Sequence, residues 1–440
     1  MSFILLFVLL ISFIFYLACL INLALSAGIT LPPIQKAALD SEKYKLYLII
    51  PVLNEEQVII STIKSLISEI DKLPTHIQGT IVAVNDHSTD DSLFLLSQLK
   101  KQLPTSQLII LDHPTDLAQK GKGAVLNFAV STIAKYPHEV DPRHIILGVI
   151  DADSWIDAPN LTKAVDFFIN SPAHDMFQSG VAIYNTDNWL TKMQNFEFLG
   201  INSAQQQVRE KYGQGIASGN GQFITLTLGL DIPWGNSLLE DLEFTLRAWI
   251  KGYRTAFNND VVIHQSGIAT LRPLIRQRIR WCQGSLQCWS YLPALWYSPN
   301  LHFFQKLDTT LWLLLPAAAT IVPLANTIAL GMQIYGVFTA PPHWTSSALF
   351  VIIALNLLTC LFMALQYHQN TMADNSKFGR ALGLSLIFQV YLLPLIIVPY
   401  MAVFRQIRQL NQWEKTTHDV NPQGTPSAIK SVDNHRQKIK

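Results

Sequence analysis

Charge is scarce in this chain. Asp, Glu, Lys and Arg make up 14% of 440 residues, and the net charge is +1. Such a balance creates no global field and excludes nucleic acid or another polyanion as a partner held by bulk electrostatics. Cysteine is scarce too. Cys19, Cys282, Cys288 and Cys360 are the four, and their spacing fits neither a zinc knuckle nor a disulfide framework, so they read as reduced thiols. No charged residue precedes Lys36. Ser2–Ala27 lacks the basic start and short apolar core of a cleaved leader, and it is long enough to cross a bilayer. It is expected to be an uncleaved anchor.

What the chain has is hydrophobic residues, 49% of the total, so lipid is an expected second solvent. The expected organisation is an anchor over 1–28, a soluble unit over 41–282, an interfacial aromatic segment over 283–306, apolar helices over 307–405 and a polar tail over 406–440. In the soluble unit, β-branched runs such as "YLIIPVL" (47–53), "TIVAVND" (80–86), "QLIILDHP" (107–114) and "HIILGVIDADS" (144–154) alternate with helical patterns. That alternation predicts α/β architecture with a parallel sheet. Ligands in such sheets bind at the carboxyl ends of the strands, where Asn54–Glu55, Asn85–Asp86 and Asp151–Asp153 fall.

"CWSYLPALWYSPNLHFF" (288–304) interleaves aromatics with prolines, as in a belt at the membrane surface. Spanning candidates follow at Leu311–Phe338, Ala348–Tyr367 and Ala381–Phe404, none with Lys, Arg, Asp or Glu. The basic residues conflict over topology. Lys43, Lys45, Lys377 and Arg380 suit the cytoplasmic side, yet with three later spans Arg405 and Arg408 would lie opposite unless one span is re-entrant.

Several short stretches carry chemistry. In "VIDADSWID" (149–157) Asp151 and Asp153 can approach one Mg²⁺ or Mn²⁺ through oxygen ligands, or one of them can cap the helix near Pro159. In "VNDHSTDDS" (84–92) Asp86 falls on the strand-end rim, while Ser88 or Asp90 suits a helix cap. "QKGKGAVLN" (119–127) offers Lys120 and Lys122 to a phosphate but lacks P-loop spacing. "ASGNGQFIT" (217–225) sets glycines around Asn220 and Gln222, for a close backbone approach or a simple loop. In "RQRIRWCQG" (276–284), Gln277, Arg280 and Trp281 suit phosphate and sugar, while Arg276 and Arg278 suit a cationic membrane surface. "GNSLLEDLEFTLRAW" (235–249) gathers Glu240, Asp241 and Glu243, the last read as a first-turn acid favoured by a helix dipole.

In their order and spacing these pieces resemble the family 2 glycosyltransferases, in particular the membrane-embedded polysaccharide synthases that make cellulose, hyaluronan and poly-N-acetylglucosamine. "IPVLNEE" is similar to that family's opening strand and loop, "NDHSTD" to its D-D-x-S-x-D, "DAD" to its D-x-D, "LED" to its T/E-E-D and "QRIRW" to its Q-x-x-R-W. Asn85 departs from the first Asp of the second motif, His87 stands where glycine is usual, and Leu239 replaces Thr or Glu. The resemblance implies a GT-A fold, a nucleotide-diphosphate sugar donor, Mg²⁺ or Mn²⁺ and inversion at the anomeric carbon. It implies Asp241 as catalytic base, and donor contacts from Asp86, Lys122, Asp151, Gln277, Arg280 and Trp281. Asp153 with Asp151 would face the metal, and Glu55, Glu240 and Gln222 would support the motifs. The expected product is a β-linked polysaccharide made at the cytoplasmic face of a plasma or inner membrane, with accessory subunits unspecified. The alternatives are one sugar moved to a lipid, as in ceramide glucosyltransferases, and a non-catalytic partner built on an inactive transferase.

Overall fold

The computed structural model describes residues 2–38, 42–104, 107–115, 119–318, 335, 344–371 and 378–411. The tail beyond 411, Lys377 and most of the stretch expected to span from Leu311 to Phe338 lie outside the described residues.

A seven-stranded sheet forms the centre. Its strands are β1 (Tyr44–Val52), β2 (Ile77–Asn85), β3 (Leu108–Asp112), β4 (Ile145–Val149), β5 (Met176–Ile183), β6 (Gln222–Thr225) and β7 (Thr255–Gln265), in spatial order β3-β2-β1-β4-β6-β5-β7. Side chains alternate across each strand. Leu48, Ile50 and Val52 of β1 therefore enter one apolar core, with Ile59, Ile63 and Leu66 of helix α2 (Ile59–Ile70). Tyr47 and Ile49 enter the other, with Val125, Leu126 and Ala129 of helix α4 (Lys122–Ile133). Helix α3 (Ser92–Lys100) follows β2, and α5 (Ala158–Asn170) follows β4. The α2 apolar residues recur at helical spacing and are fully buried, so Leu66→Ala should cost about 2–5 kcal/mol.

The sheet is mixed, not parallel throughout. Strand β6 pairs antiparallel with both β4 and β5. The reason lies in the crossover after β5. The chain runs through α6 (Trp189–Phe196), a π-helical segment (Glu197–Asn202) and α7 (Ser203–Glu210), then re-enters the sheet from the carboxyl ends of its neighbours. The loop 217–221 that precedes β6 is thereby delivered into the crevice.

Helices α8 (Leu226–Asp231), α9 (Glu240–Lys251), α10 (Leu271–Gln287) and α11 (Leu292–Tyr297) complete the sheet-bearing region. Helix α12 covers 303–318. The apolar helices α1 (Ser2–Ala27), α13 (Trp344–Asn370), α14 (Phe378–Leu395) and α15 (Ile397–Ile407) pack at its side. The stretch Phe378–Ile407 is long and apolar enough to cross a membrane. Leu384, Phe388, Tyr391 and Leu395 of α14 nonetheless pack with Leu190, Phe196 and Ile268 of the sheet-bearing region. Arg405, at the end of α15, donates from Nε to Gln283 Oε1 on α10 at 3.0 Å.

Candidate active site

A cavity of about 600 Å³ opens over the carboxyl ends of β1, β2 and β4, lined by Glu55, Asp86, Lys122, Asp151, Asp153, Glu240 and Asp241 with Gln277, Arg280 and Trp281. The five motifs, from different strands and helices, thus converge on one space. Gln222 does not. Its side chain is fully buried within the sheet, where Nε2 approaches Met176 Sδ at 3.6 Å. A residue inside an antiparallel strand has its face fixed by the pleat, and for Gln222 that face is not the crevice.

The residue of this loop that does cross-brace the crevice is Asn220. Its Oδ1 accepts from Asp151 N at 3.2 Å, and its Nδ2 donates to Ser154 Oγ at 2.9 Å and Gln265 Oε1 at 2.7 Å. Gly219 has φ +74° and Gly221 φ +69°, the left-handed region where side chains are disfavoured. A Cβ on Gly219 would stand 3.1 Å from Asp241 Oδ2, and one on Gly221 would collide with Ser179 Oγ. Gly219 therefore brings backbone close to Asp241, and Gly221 brings it close to Ser179.

Asp86 sits at the end of β2 and is buried. Its Oδ1 meets His113 Nδ1 at 2.7 Å, and Gln119 N donates to Oδ1 at 3.0 Å and Oδ2 at 3.2 Å. His113 was not among the sequence candidates, although it follows β3 just as Asp86 follows β2. Asn85 is turned toward β3, donating to Asp112 Oδ1 at 2.7 Å, so this departure from the family pattern fixes the sheet edge. His87 holds φ +58°, which explains why glycine suits that position, and its Nε2 meets His113 O at 2.7 Å. The loops 54–56 and 88–92 lock together: Asn54 N donates to Ser88 Oγ, Glu55 N to Ser92 Oγ and Glu56 N to Asp90 Oδ2. Ser88 and Asp90 brace the opening loop; Asp90 Oδ1 also accepts from Ser92 N at 3.0 Å, while the N-cap position of α3 is Asp91. Asp157, not Asp151 or Asp153, caps α5, accepting from Asn160 N at 2.9 Å.

Lys122 starts α4 and points into the acids. Its Nζ donates to Asp151 Oδ1 at 2.5 Å and Gly219 O at 2.8 Å. Burial alone would pull this ammonium down, but Asp151, Glu240 and Asp241 hold it above the usual lysine range. The opposite balance governs the acids. Burial first, then the adjoining Glu240 carboxylate, push Asp241 up to about 7, against a bond from Leu242 N to its Oδ1 at 2.7 Å. Burial also raises Glu240, opposed by Lys122 and Arg280. Burial lowers Arg280, with Glu240 and Asp151 pulling it back.

Two neighbours differ from the sequence reading. Glu243 is a buried brace and not merely a first-turn acid. Its Oε2 accepts from Ser237 N at 2.7 Å and its Oε1 from the Tyr291 hydroxyl at 2.6 Å. Arg278 is not a surface cation. It is buried, and its Nη2 donates to Glu197 Oε2 at 2.8 Å. Among the described residues no cluster of three or more His, Cys, Asp or Glu is arranged as a metal cage. The described cysteines Cys282, Cys288 and Cys360 are free.

A strand-end acidic crevice closed by a basic helix defines a nucleotide-sugar transferase class, and the comparisons agree. The glycosyl transferase family 2 model matches residues 47–225, and the family group 2 model matches 146–365, half of the chain. The chain belongs to glycosyl transferase family 2 and is a glycosyltransferase. The beta-monoglucosyldiacylglycerol synthase of Synechocystis sp. is 28% identical over 261 residues, 58% of this chain and 51% of the relative. The poly-beta-1,6-N-acetyl-D-glucosamine synthase of Staphylococcus aureus is 22% identical over 207 residues, 46% of this chain and 47% of the relative. The chain spans about half the length of the curated relatives it matches. A mannosyltransferase from Pyrobaculum calidifontis, solved with GDP-mannose and Mn²⁺, shares the fold with TM-score 0.56 at 17% identity, covering 91% of this chain and 99% of that one. The GT-A-like α/β fold is thus established, with its mixed sheet.

Proposed function

We propose that this glycosyltransferase moves one sugar from a nucleotide-diphosphate sugar to a hydroxyl of a membrane lipid, with inversion. One observation carries the reading. The cavity that holds the acids continues between Trp312, Leu315 and Pro316 of α12 and Leu395, Val398 and Pro399 of the α14–α15 stretch. A polar donor end joined to an apolar wall suits an acceptor with one reactive hydroxyl and acyl chains.

Charge narrows the headgroup. Of the cations lining the cavity, Arg278 is paired with Glu197 and Arg209 with Asp308 at 2.8 Å, both acids outside the lining. Lys122 and Arg280 face the acids of the crevice. Arg278 and Arg209 are thus neutralised by their own acids, which disfavours an anionic headgroup at the acceptor end and favours a neutral one. The relatives named as glucosyldiacylglycerol synthases support this over the polysaccharide expectation, since the polymer synthase matches with lower identity over a shorter stretch.

In the reaction, Asp241 at the start of α9 takes the proton from the acceptor hydroxyl as that oxygen attacks the anomeric carbon. General base catalysis of this kind contributes roughly 10²–10⁴-fold. Asp86 holds the nucleoside end, and Lys122, Arg280, Gln277 and Trp281 surround the diphosphate and the acceptor floor. Asp153 and Asp151 suit a hard divalent cation, which needs only one or two carboxylates when phosphate oxygens and waters complete its shell. Mg²⁺ or Mn²⁺ bound there would neutralise charge on the leaving diphosphate.

The membrane follows from the same surface. Tyr297 at the end of α11 is 88% exposed, Phe303 and Phe304 at the start of α12 are 61% and 67% exposed, and Leu386, Ile387, Val390 and Leu393 are exposed on α14. These faces are read as lipid-facing. Both ends of 378–407 stay by the catalytic region: Phe378 packs on His368 of α13, whose Asn370 donates to Leu199 O, and Arg405 reaches Gln283. We infer that this stretch lies against the domain and does not cross, the re-entrant solution to the charge conflict, with the catalytic region on the cytoplasmic side. Extraction of the products from purified protein given labelled UDP-glucose and dioctanoylglycerol tests the reading. Label moving to the organic phase as a one-sugar glycolipid supports it, and an aqueous polymer made without lipid overturns it.

A further inference from the structure

We propose that Glu197, Arg278 and Tyr391 form a positioning cluster that sets Trp281 at the acceptor end of the cavity and ties that setting to the seating of α14. This rests on the acceptor reading above and adds to it Glu197 and Tyr391, which no sequence motif contains, and Arg278, one of the two unspecified positions of Q-x-x-R-W.

Arg278 and Trp281 are three residues apart on α10 and share a face. The Arg278 guanidinium carbon lies 4.4 Å from the Trp281 ring centre, and Phe198 meets the same indole edge-on at 6.4 Å and 85°. The guanidinium is held in turn. Its Nη2 donates to Glu197 Oε2 at 2.8 Å and lies 3.4 Å from the Tyr391 hydroxyl, which itself donates to Glu197 Oε2 at 3.0 Å. Arg278 is 9% exposed and Tyr391 is fully buried.

Three segments meet in this cluster. Glu197 and Phe198 begin the π-helical segment, a geometry that is rare and recurs at functional sites. Gly200 of the same segment packs on Tyr367 and the Met363 carbonyl of α13. Tyr391 belongs to α14. A buried ion pair is weak evidence of stability, because apolar replacements often hold a fold as well. What this one achieves is orientation: it fixes a planar cation against the face of Trp281. A shift of α14 by one rotamer's width would release that cation and with it the acceptor floor.

The test uses the full-length protein in detergent with UDP-glucose and dioctanoylglycerol. Tyr391→Phe removes the hydroxyl that meets both Glu197 and Arg278, and Glu197→Gln removes the charge that pairs Arg278; each should raise the KM for dioctanoylglycerol about tenfold, the effect of losing a bond to a charged group. The KM for UDP-glucose should stay within about twofold. The double variant should be no worse than about the poorer single one, because the three groups act as a unit. A merely structural role would lower the active fraction and leave both KM values alone, and that result overturns the proposal, as does an equal rise in both. If the parent protein glycosylates no lipid, the function proposed above fails, and the cluster is then read by fluorescence. The Trp281 emission, obtained by subtracting Trp281→Phe from its parent, should shift to the red in the Tyr391→Phe background. An unchanged emission overturns the cluster.

Discussion

The two ends of the cavity are built by different means. The proposed donor end rests on strand termini, and its carboxylates are held by backbone amides, Gln119 N on Asp86 and Leu242 N on Asp241, while the Asp151 backbone amide donates to Asn220 Oδ1. The proposed acceptor end rests on helices distant in sequence, joined by part-buried ion pairs between α10 and the π-helical segment and between α7 and α12. The first kind of site is rigid because it borrows the sheet. The second depends on how apolar helices seat, which suits a substrate that arrives from lipid.

Variants at the donor end should change chemistry and donor affinity, and variants at the acceptor end should change acceptor KM alone. The largest effect belongs to Asp241→Asn. Transfer should fall by roughly 10²–10⁴-fold with UDP binding by calorimetry retained. The same change should stabilise the fold. Asp241 is raised from an ordinary aspartate value to about 7, so ionising it opposes folding, and the cost grows as pH rises from the unfolded value through about 7. Thermal denaturation at pH 8 should show a gain of about 1–3 kcal/mol, which shrinks toward pH 4. Loss of stability at pH 8 would contradict the burial argument.

Next in size is Lys122→Met. It removes the ammonium that bonds Asp151 and faces Glu240 and Asp241, leaving Arg280 as their remaining cation, so donor KM should rise about tenfold or more. The base should also be pushed further up. In the parent, kcat/KM should climb as pH passes through about 7, where Asp241 loses its proton. In Lys122→Met that climb should move to higher pH, and an unmoved profile would separate the lysine from the base. Asp153→Ala should remove the Mn²⁺ dependence of UDP binding, measured by titration with and without EDTA; binding that keeps its full response to Mn²⁺ would sink the metal assignment. At the acceptor end, Trp312→Ala should raise the KM for dioctanoylglycerol several-fold, on the order of 1 kcal/mol of lost apolar contact, with donor KM unmoved. The smallest effect is expected from His87→Gly. Relief of the left-handed backbone, about 1 kcal/mol, offsets the lost bond to His113 O, so Tm should barely move.

The contrast also explains what could be read from the sequence. Asp86, Asp151 and Asp153 are legible because a strand run and the acid that ends it are adjacent in the chain. The fold class was legible from the same alternation, but the reversed strand β6 was not, since four residues carry no mark of direction. Gln222 drew notice for its neighbours' glycines, yet the pleat turns it inward. His113 was missed although it too ends a strand run. Arg278 read as a surface cation and Glu243 only as a first-turn acid because their partners, Glu197, Tyr391 and Tyr291, stand 48 or more residues away. Helical periodicity says which face a residue occupies, not what comes to cover it.

The central claim is that the apolar half of the cavity receives a lipid acceptor. A photoreactive diacylglycerol, cross-linked to the full-length protein and mapped by mass spectrometry, tests it most directly. The account predicts label on the peptides carrying Trp312–Pro316 and Leu395–Pro399, reduced by excess dioctanoylglycerol. Label confined to the outward faces of α1 and α13, and not displaced by dioctanoylglycerol, would contradict it.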